Sequence, residues 1–184
     1  SYINIMNRII AILLLILLLP VIIFTSIYIF LVDGFPIIFS QKRAGINNSY
    51  FSIYKLRTMK KNTPDIATDK LTYDPFIFGG QFLRKLSLDE LPQLLNIIKG
   101  DINFIGPRPA LYNQADLINK RKSLGISKLK PGITGWAQIN GRDNISEKDK
   151  IKFDFYYLEN KSFKLNLNII LKTFLKVLTA KDVN

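Results

Sequence analysis

The chain has 184 residues, 48% of them hydrophobic, which suits one domain with a core and argues against global disorder. Lysine and arginine number 26 against 14 acids, a formal charge of +12, and neither cysteine nor histidine is present. Disulfide, thiolate and imidazole chemistry are thereby excluded, so any catalysis must rest on carboxylates, lysine, tyrosine or hydroxyls.

The charged side chains before Ile37 are Arg8 and Asp33, which cancel. The basic surplus therefore lies in 37–184 and suits an anionic partner: nucleic acid, an acidic lipid surface or a phosphorylated substrate. Residues 9–32 carry no charge. As a helix they are long enough for the hydrocarbon core, which needs about 20 residues. The run is longer than a signal-peptide h-region and lacks a small-residue cleavage site.

Pro20, near the middle, removes one backbone hydrogen bond and predicts a kink, with Thr25 and Ser26 placed to satisfy freed carbonyls. A kinked spanning helix and a re-entrant helix that returns to its own face both fit. A re-entrant hairpin needs support from the rest of the protein, which favours spanning, whereas Arg8 on one flank and Lys42 and Arg43 on the other fit the re-entrant form, with both basic ends on the cytoplasmic side; three charges leave both forms open.

Asp33-Gly34 and Pro36 mark a break. Two β-prone runs, 37–39 and 50–54, flank Gly45 and Asn47-Asn48 and predict a hairpin. Residues 60–75, with Pro64 and Pro75, read as a loop, and 78–86 as a short helix. A second helical pattern opens at Ser87, carries Leu91, Leu94, Leu95, Ile97 and Ile98, and stops at Gly100. Residues 104–109 must be extended, since each proline disfavours helix in the residue before it. A charged surface helix over 110–124 and a turn-rich loop over 130–136 follow. Helices are expected at 151–159 and 165–178, the last amphipathic enough to pack on the core or lie in a membrane interface.

Asp89-Glu90 supports two readings. Ser87 with Glu90 fits a capping box, and acids in a first turn suit the helix dipole. Pro92 sits awkwardly with a helix that begins at Leu88. The other reading is a carboxylate pair in which one residue attacks and its neighbour binds a hard cation such as Mg²⁺, which commonly takes one or two carboxylates plus substrate phosphates. Pro107-Arg108-Pro109 is either a rigid loop or a preorganised phosphate clamp, since the guanidinium fork matches phosphate oxygens. Lys55, Arg57, Arg84 and Arg142 are further candidates for phosphate contacts. Trp136 is either a core residue or a platform for a base.

Read in order, these stretches resemble the bacterial sugar transferase family, small monotopic phosphoglycosyl transferases that start capsule, O-antigen and glycoprotein glycan assembly. The resemblance rests on the apolar run with Pro20, on Phe39-Ser40-Gln41-Lys42-Arg43 and on Tyr54-Lys55-Leu56-Arg57-Thr58-Met59. It continues through Arg84, Ser87-Leu88-Asp89-Glu90-Leu91-Pro92-Gln93-Leu94, Gly100-Asp101 and Gly106-Pro107-Arg108-Pro109, and ends in the run from Lys130 to Arg142. Leu19 stands where the family usually has serine before the membrane proline, and Ala44 where it often has proline.

The resemblance implies a fold and a chemistry. The fold is mixed α/β and helix-dominated, with a re-entrant helix-break-helix (1–36), a catalytic part on the cytoplasmic face of the bacterial inner membrane (37–184), a small hairpin and amphipathic interfacial helices. Asp89 would attack the sugar-bearing phosphorus of a UDP-sugar and release UMP; polyprenol (undecaprenyl) phosphate would then take the phosphosugar from Asp89. Glu90 would bind Mg²⁺, and Lys55, Arg57, Arg84, Arg108 between Pro107 and Pro109, and Arg142 would offset phosphate charge. Family habit points to an N-acetylated amino sugar, with or without a deoxy position. Membrane lipids are the other expected partner, nucleic acid is not expected, and a homodimer is left open.

Two rivals remain. A membrane-anchored basic module that binds lipid or nucleic acid without catalysis predicts a dispensable Asp89-Glu90 and strongly salt-dependent binding. An inactive partner in a glycan-assembly complex is disfavoured by the intact Asp89-Glu90 and Pro107-Arg108-Pro109. The single long apolar run argues against a polytopic transferase.

Overall fold

The computed structural model describes residues 2–64, 71–141 and 145–179. The chain opens with α1 (Tyr2–Asp33), a helix of 32 residues, roughly 48 Å long at 1.5 Å per residue. Its stretch Asn4–Asp33, with a mean hydropathy of 3.1, is long and apolar enough to cross a membrane. The break expected at Pro20 is absent: the helix continues through it. The Thr25 hydroxyl donates to the Val21 carbonyl at 2.8 Å, not to the Ile16 carbonyl that proline leaves without its usual donor. Proline's fixed φ is compatible with a helix, so its cost is one bond and a local clash. Packing on both sides of Pro20 holds the helix together against that cost.

Ala11 is buried with Leu94, Ile97 and Ile102, with Leu14, Leu15 and Leu18 packed alongside. Ile29 is buried with Leu56, Ile77 and Leu83, and Tyr28 packs against the same cluster. Polar bonds reinforce both ends. Asn7 Nδ2 donates to Asn103 Oδ1 at 3.2 Å and Arg8 Nη2 to the Lys99 carbonyl at 3.2 Å. Tyr28 Oη donates to the Phe78 carbonyl at 2.9 Å. The apolar helix thus lies along the rest of the chain.

The hairpin forms as expected. Strand β1 (Ile38–Ala44) pairs antiparallel with β2 (Tyr50–Leu56), Ile38 opposite Leu56 and Ala44 opposite Tyr50. Asn47 and Asn48 in the connection adopt positive φ, which asparagine tolerates better than most residues. Helix α2 (Gly80–Lys85) follows.

The single helix expected from Ser87 to Gly100 is divided. Leu88–Glu90 form one 3₁₀ turn, and α3 (Gln93–Lys99) begins only after Pro92. The cause is local: Pro92 cannot donate to the Leu88 carbonyl, so the chain tightens into i+3 bonds, Glu90 N to Ser87 O at 3.2 Å and Leu91 N to Leu88 O at 3.4 Å. The capping box is a correction too. Ser87 sits at φ 55 and its side chain makes no cap bond. Gly100, at φ 92, ends α3 as expected.

Strands β3 (Asn103–Ile105) and β4 (Gly132–Thr134) form a second, parallel ladder. It places the 106–109 segment against 130–135, and only glycine permits the approach. A Cβ on Gly132 would lie 2.1 Å from Gly106 N, and one on Gly135 would lie 2.2 Å from Gly106 O. Helix α4 (Ala115–Ser123), the short α5 (Trp136–Ile139), α6 (Glu147–Asn160) and α7 (Phe163–Thr179) complete a helix-dominated fold. Helix α7 packs on the core by one side. Ile169 is buried with Ile139 and Tyr157, while Phe163, Leu167, Leu171 and Phe174 stay exposed.

Candidate active site

The 3₁₀ turn is held between two apolar clusters. Leu88 packs on the one that contains Ile29 and Leu56, and Leu94 belongs to the one that contains Ala11 and Ile97. Pinned on both sides, the turn carries its two acids inside: Asp89 is 2% exposed and Glu90 8%. Burying adjacent carboxylates is costly unless cations compensate, and among the described residues Lys55, Arg84 and Arg108 do. Lys55, from the end of β2, places Nζ 2.8 Å from Glu90 Oε1 and 3.7 Å from Asp89 Oδ2. Arg84, in the last turn of α2, brings Nε to 3.9 Å from Asp89 Oδ2. Arg108 brings Nη2 to 3.6 Å from Glu90 Oε1.

The charges alternate as Arg84, Asp89, Lys55, Glu90, Arg108. Lys55 lies inside with the carboxylates, whereas the side chains of both arginines are 26% exposed. A dianionic ligand can therefore reach the arginines from outside while Lys55 stays on the acids. The site sets two buried carboxylates among cations of the kinds that can pair with phosphate. Among the described residues no group of three or more metal-ligating side chains forms. The donor set fits a cation such as Mg²⁺ that takes one or two carboxylates and completes its shell with substrate phosphates.

The proposed phosphate ligands do not all gather here. Arg57 spends its five N–H donors elsewhere: on the carbonyls of Pro36, Asp33, Gly34 and Met59, and on the Asp33 carboxylate. It is a staple that fastens the C-terminal end of α1, and no donor is left for a phosphate. Arg57→Lys should therefore destabilise the fold by about 2–4 kcal/mol, since the orphaned carbonyls lose their partners. Chemical denaturation in detergent measures this. An unchanged midpoint with a raised donor KM would instead return Arg57 to the site. Arg142 lies outside the described residues. Trp136 stacks on Tyr156, ring centroids 5.4 Å apart, with Lys172 Nζ 5.7 Å from its centroid. Its ring packs among helices α5 to α7.

The Pro-Arg-Pro loop has supports that sequence reasoning missed. Arg43 Nη1 donates to the Pro109 carbonyl at 3.0 Å and its Nη2 to Gln41 Oε1. Arg121, on α4, donates Nη1 to the Arg108 carbonyl at 2.9 Å and Nη2 to Asp154 Oδ2 on α6 at 2.5 Å. Burial pushes the Asp154 carboxyl above its ordinary range, against the pull of Arg121 and Lys150. Arg121 ends a helix rich in lysine and reads as a solvated charge; its buried partner is 33 residues away.

Comparison with known proteins finds sugar transferases. The sugar transferase EpsL of Bacillus subtilis (strain 168) is 40% identical over 166 residues, covering 89% of this chain and 80% of that protein. An undecaprenyl-phosphate N-acetylgalactosaminephosphotransferase of Aeromonas hydrophila is 34% identical over 168 residues, 88% of this chain and 40% of its own length. The undecaprenyl-phosphate galactose phosphotransferase of Salmonella typhimurium (strain LT2) is 32% identical over 167 residues, 82% and 35% respectively. The chain therefore spans well under half of the two relatives named for their reactions. Residues 2–180 match the family described as bacterial sugar transferase. Together with the buried Asp-Glu turn among its cations, this makes the chain a member of the bacterial sugar transferase family.

Proposed function

We propose that the chain is a phosphoglycosyl transferase that moves a sugar-1-phosphate from a UDP-sugar to polyprenol phosphate and releases UMP, the first membrane step of capsule, O-antigen or glycoconjugate assembly. The observation that carries this reading is the buried Asp89-Glu90 pair compensated by Lys55, Arg84 and Arg108. The two relatives named as undecaprenyl-phosphate phosphotransferases support the substrate class.

In the first half-reaction an Asp89 carboxylate oxygen attacks the sugar-bearing phosphorus. The bond from that phosphorus to the bridging oxygen breaks, and UMP leaves with the electron pair. The phosphosugar then rests on Asp89 as an acyl phosphate. In the second half-reaction an oxygen of polyprenol phosphate attacks the same phosphorus, the bond to Asp89 breaks, and the carboxylate is restored. A carboxylate nucleophile divides one hard displacement into two. Lys55 stays beside both carboxylates, while Arg84 and Arg108 turn from them to the donor's phosphates and offset charge as it shifts. Glu90 would hold Mg²⁺, which would supply charge neutralisation to the donor's diphosphate.

The chain sits on the cytoplasmic face of the bacterial inner membrane, with both ends of α1 on that one face. Support comes from both ends of α1. Asn7 and Arg8 at one end and Tyr28 and Asp33 at the other all bond to the rest of the chain. A helix that crossed the hydrocarbon core would carry one end about 30 Å away. The chain has no cysteine, so single substitutions report topology cleanly. In oriented vesicles, Tyr2→Cys and Lys42→Cys should react with an impermeant maleimide from the same side; labelling from opposite sides would establish a spanning helix.

The function is tested by UMP release from purified protein in detergent with Mg²⁺, undecaprenyl phosphate and a panel of UDP-sugars that includes N-acetylated and deoxyamino sugars. Release that depends on the acceptor for multiple turnovers is expected. No release from any donor, with strong salt-dependent binding to anionic lipid, would point to a binding module instead.

A further inference from the structure

Pro107-Arg108-Pro109 is an awkward place to fix a side chain. Pro107 and Pro109 offer no N–H, so the segment cannot continue a ladder, and its carbonyls must find donors elsewhere. Three successive carbonyls do so, each from a different element. Pro107 O accepts from Gly132 N of β4 at 3.0 Å. Arg108 O accepts from Arg121 of α4 at 2.9 Å. Pro109 O accepts from Arg43 of β1 at 3.0 Å. The central bond is the one made at the arginine that faces Glu90.

Its donor is itself braced. Arg121 is 8% exposed and Asp154 is 1% exposed. The two are joined by a charge-assisted bond of 2.5 Å. A buried ion pair is a weak source of stability, because apolar residues of like volume often do as well. It is a good source of direction, because a planar fork grips a carboxylate and a carbonyl at once, which an ammonium on a flexible stem cannot hold in one fixed geometry. We infer that Arg121, braced by Asp154, is a positioning residue: it fixes the backbone of Arg108 and so aims that guanidinium at the phosphate in transfer. This rests on the proposed function only for what Arg108 is aimed at.

Two readouts test it. In the UMP-release assay, Arg121→Lys should lower kcat about 10- to 100-fold, the scale of a small misplacement near reacting atoms. Donor KM should stay within about threefold, because an interaction strengthened only in the transition state is the one lost. In an Arg108→Ala background the same substitution should cost less than about twofold, since residues that act through one another are not additive. Equal losses in both backgrounds would reduce Arg121 to a structural role and overturn the inference. If Arg121→Lys does not fold, Asp154→Asn, which leaves Arg121 in place without its brace, takes its part in the same cycle.

The second readout needs no turnover. Amide exchange followed by mass spectrometry over 105–111 should be at least about tenfold faster in the variant, while peptides from α3 stay as in the wild type. Unchanged exchange there overturns the inference even if no donor is turned over. A wild type that releases no UMP while the variant's 105–111 exchange is accelerated would remove the proposed reaction and leave the positioning of Arg108 standing.

Discussion

Asp89→Asn should abolish steady-state UMP release, with a loss of about 10³-fold or more, the scale found when a nucleophile is removed and only positioning and electrostatics remain. Asparagine keeps the volume and one acceptor oxygen of aspartate, and Lys55 still has Glu90 at 2.8 Å, so the fold should survive with a midpoint within about 1 kcal/mol of wild type. Without acceptor, the wild type should release one equivalent of UMP and gain the mass of one phosphosugar, and the asparagine variant should do neither. Glu90→Gln separates the two acids. It should raise the Mg²⁺ concentration needed for half-maximal turnover yet still form the covalent adduct at long times. Adduct on a residue other than 89, or wild-type turnover by Asp89→Asn, would break the covalent mechanism. These outcomes also decide against the anchored binding module, for which neither acid matters.

The parts of this site were unevenly legible before the fold was seen. Asp89-Glu90 stood out as a dipeptide, but its local signal fitted a capping box equally well. The deciding fact, that Pro92 forces a 3₁₀ turn and buries both acids, depends on clusters contributed by α1 and α3. Lys55 and Arg57 occupy one short motif and differ completely in role. Lys55 reaches the acids, whereas Arg57 turns to the end of α1. No periodicity distinguishes them, because, Met59 apart, their partners lie more than 20 residues away in sequence. Helix α1 is apolar on every face, so pattern alone could not tell a broken helix from a continuous one packed along its length. The hairpin and the stop at Gly100 were readable because turn chemistry is local. The parallel β3–β4 ladder was not, since three-residue strands carry almost no pattern of their own.

Lys55→Met should be the most damaging change that leaves both acids in place. Among the described residues the lysine is the cation that lies within 4 Å of both carboxylates, at 2.8 and 3.7 Å. Methionine keeps its apolar stem packed on the core and removes only the charge. Two buried carboxylates would then face each other with Arg84 still 3.9 Å from Asp89 and Arg108 3.6 Å from Glu90. Removing one partner of a buried ion pair costs about 3–5 kcal/mol because the other charge is stranded, and the partly exposed arginines can recover some of that. The rest remains as repulsion between the two acids, which pushes the turn out of the geometry in which Asp89 can attack. Turnover should therefore fall about 10²-fold, the scale of a small misplacement near reacting atoms. Lys55→Arg keeps the charge and should recover part of the rate. A Lys55→Met enzyme with wild-type turnover and a lowered unfolding midpoint would mean that Lys55 stabilises the turn without positioning Asp89, and that this work falls to Arg84, 3.9 Å from its carboxylate.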